Sequence, residues 1–264
     1  MIFLDKDKIV ICSPSYRRPV VKTLEYLPDV RIYIDKSDEE DYRRENPHAD
    51  IVVCDDGVQG NVARVRNYIL DKEFGNGAKA VCLVDDDMSG IFEWVSCKKR
   101  LVKRDEFKDF LYKYSIIAED MGVYFWGVNI NQDKQTYREY SPFSFLNFVG
   151  GPFQVFINNG GGLRYDERLP LKEDYDMTLQ QLNKYRRVLR VNKFFYIVKQ
   201  STNAGGCASY RTIEREMRQL EDLQRKWGKN IVKIDKADRS HNLVADKSKH
   251  FDYNPIIRVP IKGI

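Results

Sequence analysis

The stretch Ala80-Val81-Cys82-Leu83-Val84-Asp85-Asp86-Asp87-Met88 decides how the chain reads. Five apolar residues run directly into three consecutive carboxylates. An unbroken apolar run of this length predicts a strand buried on both faces, as in a parallel α/β sheet. The acids then fall where the strand leaves the sheet, and in open α/β sheets ligands bind outside the carboxyl ends of the strands. Adjacent carboxylates repel one another. A hard cation such as Mn²⁺ or Mg²⁺ relieves that repulsion, because oxygen ligands suit it. The competing reading is a charged turn after a core strand, but turns rarely set three acids straight onto a buried strand end.

Working outward, residues 8–12, 30–34 and 50–54 are further apolar strands upstream, with helices predicted at 20–27, 37–46 and 62–71. Four strands alternating with helices predict a parallel, Rossmann-like half. Downstream, Phe107, Phe110, Leu111, Tyr114, Ile117, Ala118 and Met121 recur at three- and four-residue spacing. That pattern predicts an amphipathic helix over 103–121, stopped by Gly122. A strand follows at 123–128. Residues 129–148 are polar and aromatic with no period, which suits an active-site lid or an acceptor-contact loop. Strands are predicted at 152–157, 188–198 (one or two) and 256–260, and helices at 175–185 and 211–227. With no repeat or linker, residues 1–264 read as one α/β domain, a mostly parallel sheet flanked by helices with a mixed C-terminal part. Its expected halves are 1–128 for nucleotide binding and 129–264 for acceptor binding and catalysis.

Composition narrows the class. Of 264 residues, 42% are hydrophobic and 31% charged, ordinary for a globular protein. No apolar run approaches the roughly 20 residues of a membrane helix. The N-terminus, Met1-Ile2-Phe3-Leu4-Asp5-Lys6-Asp7, is too short and acidic for a signal peptide, so a cytoplasmic protein with no membrane partner is expected. The five cysteines form no CxxC pair and no zinc spacing, and Cys12, Cys54 and Cys82, on predicted strands, read as reduced core thiols. Three histidines exclude a mechanism needing several of them. The net charge of +5 allows an anionic partner without requiring one. Neither the dinucleotide GxGxxG nor the P-loop GxxxxGK[ST] occurs.

Other candidates flank the triplet. Ser13-Pro14-Ser15-Tyr16-Arg17-Arg18-Pro19 follows the first strand; Tyr16 could stack on a base and Arg17 and Arg18 could meet phosphates. Asn61 is a plausible N-cap for a helix carrying Arg64, Arg66 and Asn67 near its start, a combination suited to a phosphate-bearing ligand. Asn158-Asn159-Gly160-Gly161-Gly162 reads equally as a close backbone approach to a ligand or as a plain turn. A second acidic cluster, Lys172-Glu173-Asp174-Tyr175-Asp176, opens a helix with Asp174 as a reasonable N-cap. Together the clusters suit group transfer from a nucleotide diphosphate. Asp85 and Asp87 would contact metal or ribose, with Asp86 paired beside them. A carboxylate of the second cluster would take the proton of an attacking hydroxyl, Asp174 first, with Glu173 and Asp176 behind it.

These features resemble a GT-A fold glycosyltransferase: the Rossmann-like first half, the strand ending in Leu83-Val84-Asp85-Asp86-Asp87-Met88, and Lys172-Glu173-Asp174 at a helix start. The resemblance implies a DxD motif that binds metal and nucleotide sugar, here a UDP-sugar, and a later base. It also implies a C-terminal histidine, His241 or His250, that could complete the metal shell. More narrowly, Ser13-Pro14-Ser15-Tyr16-Arg17, Gly60-Asn61-Val62-Ala63-Arg64-Val65-Arg66-Asn67, Leu171-Lys172-Glu173-Asp174-Tyr175-Asp176, Gly205-Gly206-Cys207, Tyr210-Arg211-Thr212 and Lys226-Trp227-Gly228 are similar to phage-encoded TET-associated glycosyltransferases. That likeness implies Ser13, Tyr16, Arg17, Asn61, Arg64, Arg66, Asp85 and Asp86 on the donor, and double-stranded DNA carrying 5-hydroxymethylcytosine as acceptor, in a host cytoplasm. The alternatives are a glycan or protein acceptor, a metal-dependent nucleotidyltransferase, or a non-enzymatic nucleic-acid binder.

Overall fold

The computed structural model describes residues 4–198, 206–234 and 254–260. Its centre is a ten-stranded mixed sheet. Strands β1 (Ile9–Pro14), β2 (Arg31–Ile34), β3 (Asp50–Val53) and β4 (Ala80–Val84) pair in parallel in the order β3-β2-β1-β4. The expected Rossmann-like half is therefore present. All five residues of β4 are buried, and they divide between two cores. Ala80, Cys82 and Val84 join the core under one face, whereas Val81 and Leu83 join the other. This is what an unbroken apolar run means in a strand, since successive side chains point to opposite faces.

The helices between these strands are shorter or longer than the periodicity predicts. The helix expected over 20–27 is one turn, α1 (Thr23–Tyr26). A 3₁₀ turn over Lys36–Asp38 precedes α2 (Glu39–Glu45). Next, α3 (Val62–Gly75) is capped by Asn61, whose side chain accepts from the backbone N–H groups of Ala63 and Arg64 at 3.0 and 3.3 Å. That is the N-cap role its sequence position suggests.

Beyond the triplet the structure departs from the sequence reading. Residues 88–101, whose pattern assigns no element, form a hairpin of β5 (Met88–Val95) and β6 (Lys98–Leu101). Helix α4 (Arg104–Asp120) packs Phe107, Phe110, Leu111 and Tyr114 on the sheet, and Gly122 follows with φ +64. The remaining strands are β7 (Phe125–Asn129), β8 (Phe143–Ser144), β9 (Phe153–Ile157) and β10 (Leu189–Val198), the last a single strand. Strand β9 inserts antiparallel between β4 and β7, and β10 runs parallel to β7 and antiparallel to β5.

The reversal of β9 positions the site. Phe153 pairs with Val84, so the Gly150-Gly151-Pro152 turn before β9 lies beside the acidic triplet, where Asp85 N–H donates to the Pro152 carbonyl at 3.2 Å. Ile157 pairs with Ala80, so the Asn158–Gly162 run lies at the opposite end of the sheet. Helix α5 (Glu173–Tyr185) returns to the triplet's end, and α6 (Ile213–Trp227) packs on α5 through Leu179, Leu220 and Leu223. Strands β11 (Val232–Ile234) and β12 (Pro255–Ile257) form a separate pair. No helix among the described residues is long and apolar enough to cross a membrane.

Candidate active site

The triplet is held rigidly from below. Thr23, at the start of α1, donates its hydroxyl to the Asp85 carbonyl at 2.6 Å and accepts from Met88 N–H at 2.9 Å, while its own N–H donates to the Asp86 carbonyl at 3.1 Å. This fixes the backbone; Asp86 and Asp87 both meet Arg18, and Asp85 meets Arg66.

Asp86 is buried, with both oxygens engaged: Ser15 Oγ donates to one at 2.6 Å and Arg18 Nη1 to the other at 2.6 Å. It binds the β1 loop to the triplet. Asp87 is more open, with Arg18 Nη1 at 3.4 Å. Burial, then the charges of Asp85 and Asp86, push its carboxyl up to about 7. Asp85 turns the other way and accepts from Arg66 Nη2 at 2.9 Å.

Arg66 unites the two acidic clusters. It projects from α3, fully buried, between the triplet and α5. Nη1 donates to Glu173 Oε1 at 3.0 Å, and Nη2 donates to Asp85 at 2.9 Å and to the Gly151 carbonyl at 3.1 Å. Its guanidinium also lies 5.7 Å from the centre of the Tyr165 ring. Burial works against its charge, but Tyr165, Glu173, Asp85 and Asp174 outweigh that and keep it cationic. Arg66, expected to meet a phosphate, meets these carboxylates in the structure. The planar fork of an arginine can span two carboxylates, and here it does.

The second cluster also separates into roles. Lys172, not Asp174, occupies the cap position of α5; its buried ammonium pairs with Glu216 of α6. Glu173 and Asp174 therefore sit in the first turn. Asp174 Oδ2 accepts from Gly151 N–H at 3.0 Å and Oδ1 from Tyr175 N–H at 2.8 Å. Burial and the adjacent Asp174 raise Glu173, with Arg66 pulling the other way; burial likewise raises Asp174 against the pull of Arg66. Asp176 belongs elsewhere. Two positions further along a helix is about 200° around it, so Asp176 points away, fully buried, and binds Lys226 at 2.8 Å and Trp227 Nε1 at 2.7 Å. It joins α5 to the end of α6.

Of the other expected donor contacts, Ser13 is buried with a hydroxyl that has no partner. Tyr16 is half-buried under the Arg17 guanidinium at 4.9 Å, and Arg17 is exposed with φ +52. The neighbour, Arg18, is the arginine of this loop that reaches the triplet. Asn61 donates to the Glu167 carbonyl at 2.8 Å, and Arg64 pairs with Glu167 at 3.3 Å and with the Gly57 carbonyl. Both thus knit the α3 start to 163–168 and do not reach the triplet. His241 and His250 lie outside the described residues.

Residues without an obvious signature complete the site. A Cβ on Gly151 would stand 3.2 Å from both Arg66 Nη1 and Asp174 Oδ2, and one on Gly150 would stand 2.5 Å from the Tyr196 hydroxyl. In the sequence the Gly150-Gly151 pair carries no mark beyond that of a turn before a strand. Phe148 stacks on Tyr175 at 4.2 Å with 10° between the rings, next to Asp174. Gly206 N–H donates to the Tyr16 carbonyl at 2.8 Å, which brings 206–210 over the β1 loop.

The family model for TET-associated glycosyltransferases matches residues 20–206. The chain belongs to the TET-associated glycosyltransferase family. The matched span contains the triplet, Arg66 and Glu173-Asp174, so the joined clusters lie within a glycosyltransferase domain. Membership in this family goes with a nucleotide-sugar donor. It also sets aside the nucleotidyltransferase and the non-enzymatic binder as readings of the chain. The comparison with curated proteins gives no match. Among solved structures, residues 1–349 of TarS from S. aureus are 11% identical, covering 90% of this chain and 75% of that one at a TM-score of 0.46. The mannose-1-phosphate geranyltransferase from Thermus thermophilus is 10% identical, covering 72% and 76% at a TM-score of 0.42. A UDP-glucose pyrophosphorylase complexed with UDP-glucose is 8% identical, covering 83% and 99% at a TM-score of 0.37. These are distant likenesses of overall chain path.

Proposed function

We propose that this TET-associated glycosyltransferase moves a sugar from a UDP-sugar to the hydroxymethyl oxygen of 5-hydroxymethylcytosine in double-stranded DNA. The observation that carries the reading is Arg66, which draws Asp85 of the strand-end triplet and Glu173 of the second cluster onto one guanidinium. A leaving diphosphate and an incoming hydroxyl need their groups within one site, and this pairing supplies that proximity.

The donor set fits a divalent cation, Mn²⁺ or Mg²⁺. Burial and like charge make Asp87 hold its proton up to about 7, and a cation there takes the proton's place. Among the described residues no three His, Cys, Asp or Glu side chains converge on one point. Asp87, and Asp85 through the oxygen that Arg66 does not hold, would supply the protein's ligands, with donor phosphates and water completing the shell, the usual habit of Mg²⁺. When bound, the cation neutralises charge gained by the departing diphosphate.

Asp174 is assigned as the base. Gly151 N–H fixes one oxygen, and the carboxylate takes the proton of the acceptor hydroxyl as that oxygen bonds to the anomeric carbon and the bond to the diphosphate breaks. Burial raises its basicity. The stacked Phe148–Tyr175 pair beside it, and the exposed Tyr140, Phe145 and Leu146 of the 129–148 segment, suit a nucleobase taken out of the duplex stack.

The test is incubation with a panel of nucleotide sugars, Mn²⁺ and hydroxymethylated or plain DNA, followed by digestion to nucleosides and mass spectrometry. A sugar mass on 5-hydroxymethyl-2′-deoxycytidine alone is the expected result. No gain with any donor would remove the DNA assignment, and donor hydrolysis without DNA modification would move the acceptor to a glycan or protein.

A further inference from the structure

A buried arginine is costly unless its charge is matched, and the described residues follow that rule with one exception. Arg18, Arg31, Arg64, Arg66 and Arg164 are buried or half-buried, and each lies within 3.3 Å of a carboxylate. Arg190 of β10 is half-buried too, yet the partner of its Nε is the Asn192 amide oxygen, at 3.0 Å. Burial lowers its pKa, and the ionisable neighbour that acts against this is the Tyr196 phenol, not an acid. Nη1 and Nη2 have no protein partner among the described residues and stay open to solvent.

The surroundings put this open guanidinium between the 129–148 segment and the transfer site. Arg190 pairs with Gly127 of β7 on one side and with Ser144 of β8 on the other. Asn192, which takes its Nε, donates to the Ser141 carbonyl at 3.1 Å and to Ser144 Oγ at 2.7 Å. The arginine is thus oriented by a residue clamped to the segment. The Tyr196 hydroxyl rests against Gly150, where an added Cβ would stand 2.5 Å away. It too has no hydrogen-bond partner among the described residues and stays open to solvent. Tyr196 feels Asp174, Asp85 and Arg190, whereas Arg190 feels Tyr196 and neither acid, so Tyr196 stands between them. Burial and the two acids keep its phenol protonated. Two donors face solvent here with no carboxylate on the guanidinium, and the arginine fork matches the oxygens of a phosphate.

We propose that Arg190, with the Tyr196 hydroxyl beside it, binds a backbone phosphate of the acceptor DNA. The inference rests on the DNA reading above and adds the residue that sets the strand's position against Asp174. The donor diphosphate is assigned to Asp87, which Arg18 meets; Arg190 lies beyond Tyr196, against the segment. Contacts of this kind position a strand without reading its sequence.

The test is fluorescence anisotropy with labelled duplexes, plain and hydroxymethylated, across a salt series, for wild type, Arg190→Gln and Arg190→Lys. Binding of UDP with Mn²⁺ is titrated alongside by calorimetry. Arg190→Gln should weaken both duplexes about tenfold. It should also reduce the slope of log affinity against log salt by about 0.9, the worth of one phosphate. Arg190→Lys should keep the slope, because the charge stays. UDP affinity should be the same in all three proteins, which also shows that the variants are folded. Equal DNA affinity and slope in wild type and Arg190→Gln would overturn the inference and leave the DNA reading standing. Weaker UDP binding with DNA binding intact would overturn it by assigning the guanidinium to the donor. A wild type that binds neither duplex would remove the DNA reading and this inference with it.

Discussion

Replacing Arg66 tests the junction of the two acidic clusters. Arg66→Met keeps the length and apolar stem and removes the charge. Glu173 then loses a partner at 3.0 Å and Asp85 one at 2.9 Å. Taking one member from a buried ion pair is destabilising by about 3–5 kcal/mol, because the other charge stays buried and unpaired. The side chain of Asp85 is 33% exposed against 11% for Glu173, so water rescues Asp85 and most of the loss falls on Glu173. Arg66→Lys keeps a cation that reaches one acid only, at a loss of about 1.5–3 kcal/mol for a charge-assisted hydrogen bond. Glu173→Gln alone should be mild, about 1 kcal/mol, because Arg66 keeps Asp85 and the Gly151 carbonyl and the amide oxygen can still accept from Nη1. In the Glu173→Gln background, Arg66→Met should therefore lose at least about 1.5 kcal/mol less than in the wild type. Urea titrations with unchanged slopes give these values directly. Equal losses in both backgrounds would refute the claim that Arg66 serves Glu173.

The two neighbouring acids of α5 should separate cleanly. Asp174→Asn should cut transfer by about 10²–10⁴ with little loss of stability, whereas Asp176→Asn should lower the urea midpoint by weakening its bonds to Lys226 and Trp227 and leave turnover of the folded fraction unchanged. Because burial raises Glu173 and Asp174 in the fold, the native state binds more protons than the unfolded chain above the ordinary carboxylate value of about 4. Stability should fall as pH rises from there through the raised values, while kcat/KM, needing Asp174 as a free base, should rise over the same range; parallel pH profiles for Asp174→Asn and wild type would contradict this. Gly151→Ala should slow turnover, since its methyl would press on Arg66 and Asp174 at 3.2 Å; steady-state kinetics on the folded variant read it. The hairpin turn Ser96-Cys97 has φ +45 and +67, so Asn-Gly there should stabilise by about 1 kcal/mol in urea titration.

That turn also shows where the sequence stops being informative. A two-residue turn with both φ positive calls for Asn-Gly or Asp-Gly, and Ser-Cys carries no such mark, so β5 and β6 stayed hidden although Trp94, Ile91 and Met88 are core residues. The parallel half was legible because β4 is apolar on both faces and ends at charges, a pattern that a buried strand alone explains. The direction of β9 was not, because side-chain alternation is the same whichever way a strand runs. Within the site, acidic clusters stand out in a one-dimensional string, but the side chain that joins them, Arg66, is one of many basic residues. Its distinguishing property is complete burial, which exists only after α3 packs on the sheet. The same holds for Asp86 and Asp176, whose partners Arg18 and Lys226 lie 68 and 50 residues away in the chain. Helix phase sets Asp176 apart from Asp174, and reading the start of α5 two residues late hid that phase.

The most direct measurement is paired: donor consumption and sugar on hydroxymethylated DNA, by wild type, Asp87→Ala and Asp174→Asn. If the triplet holds the diphosphate and Asp174 activates the hydroxyl, Asp87→Ala should lose donor turnover altogether. Asp174→Asn should still bind the nucleotide, titrated by calorimetry with Mn²⁺, and lose transfer. Wild-type rates of sugar transfer to DNA in either variant would contradict the account.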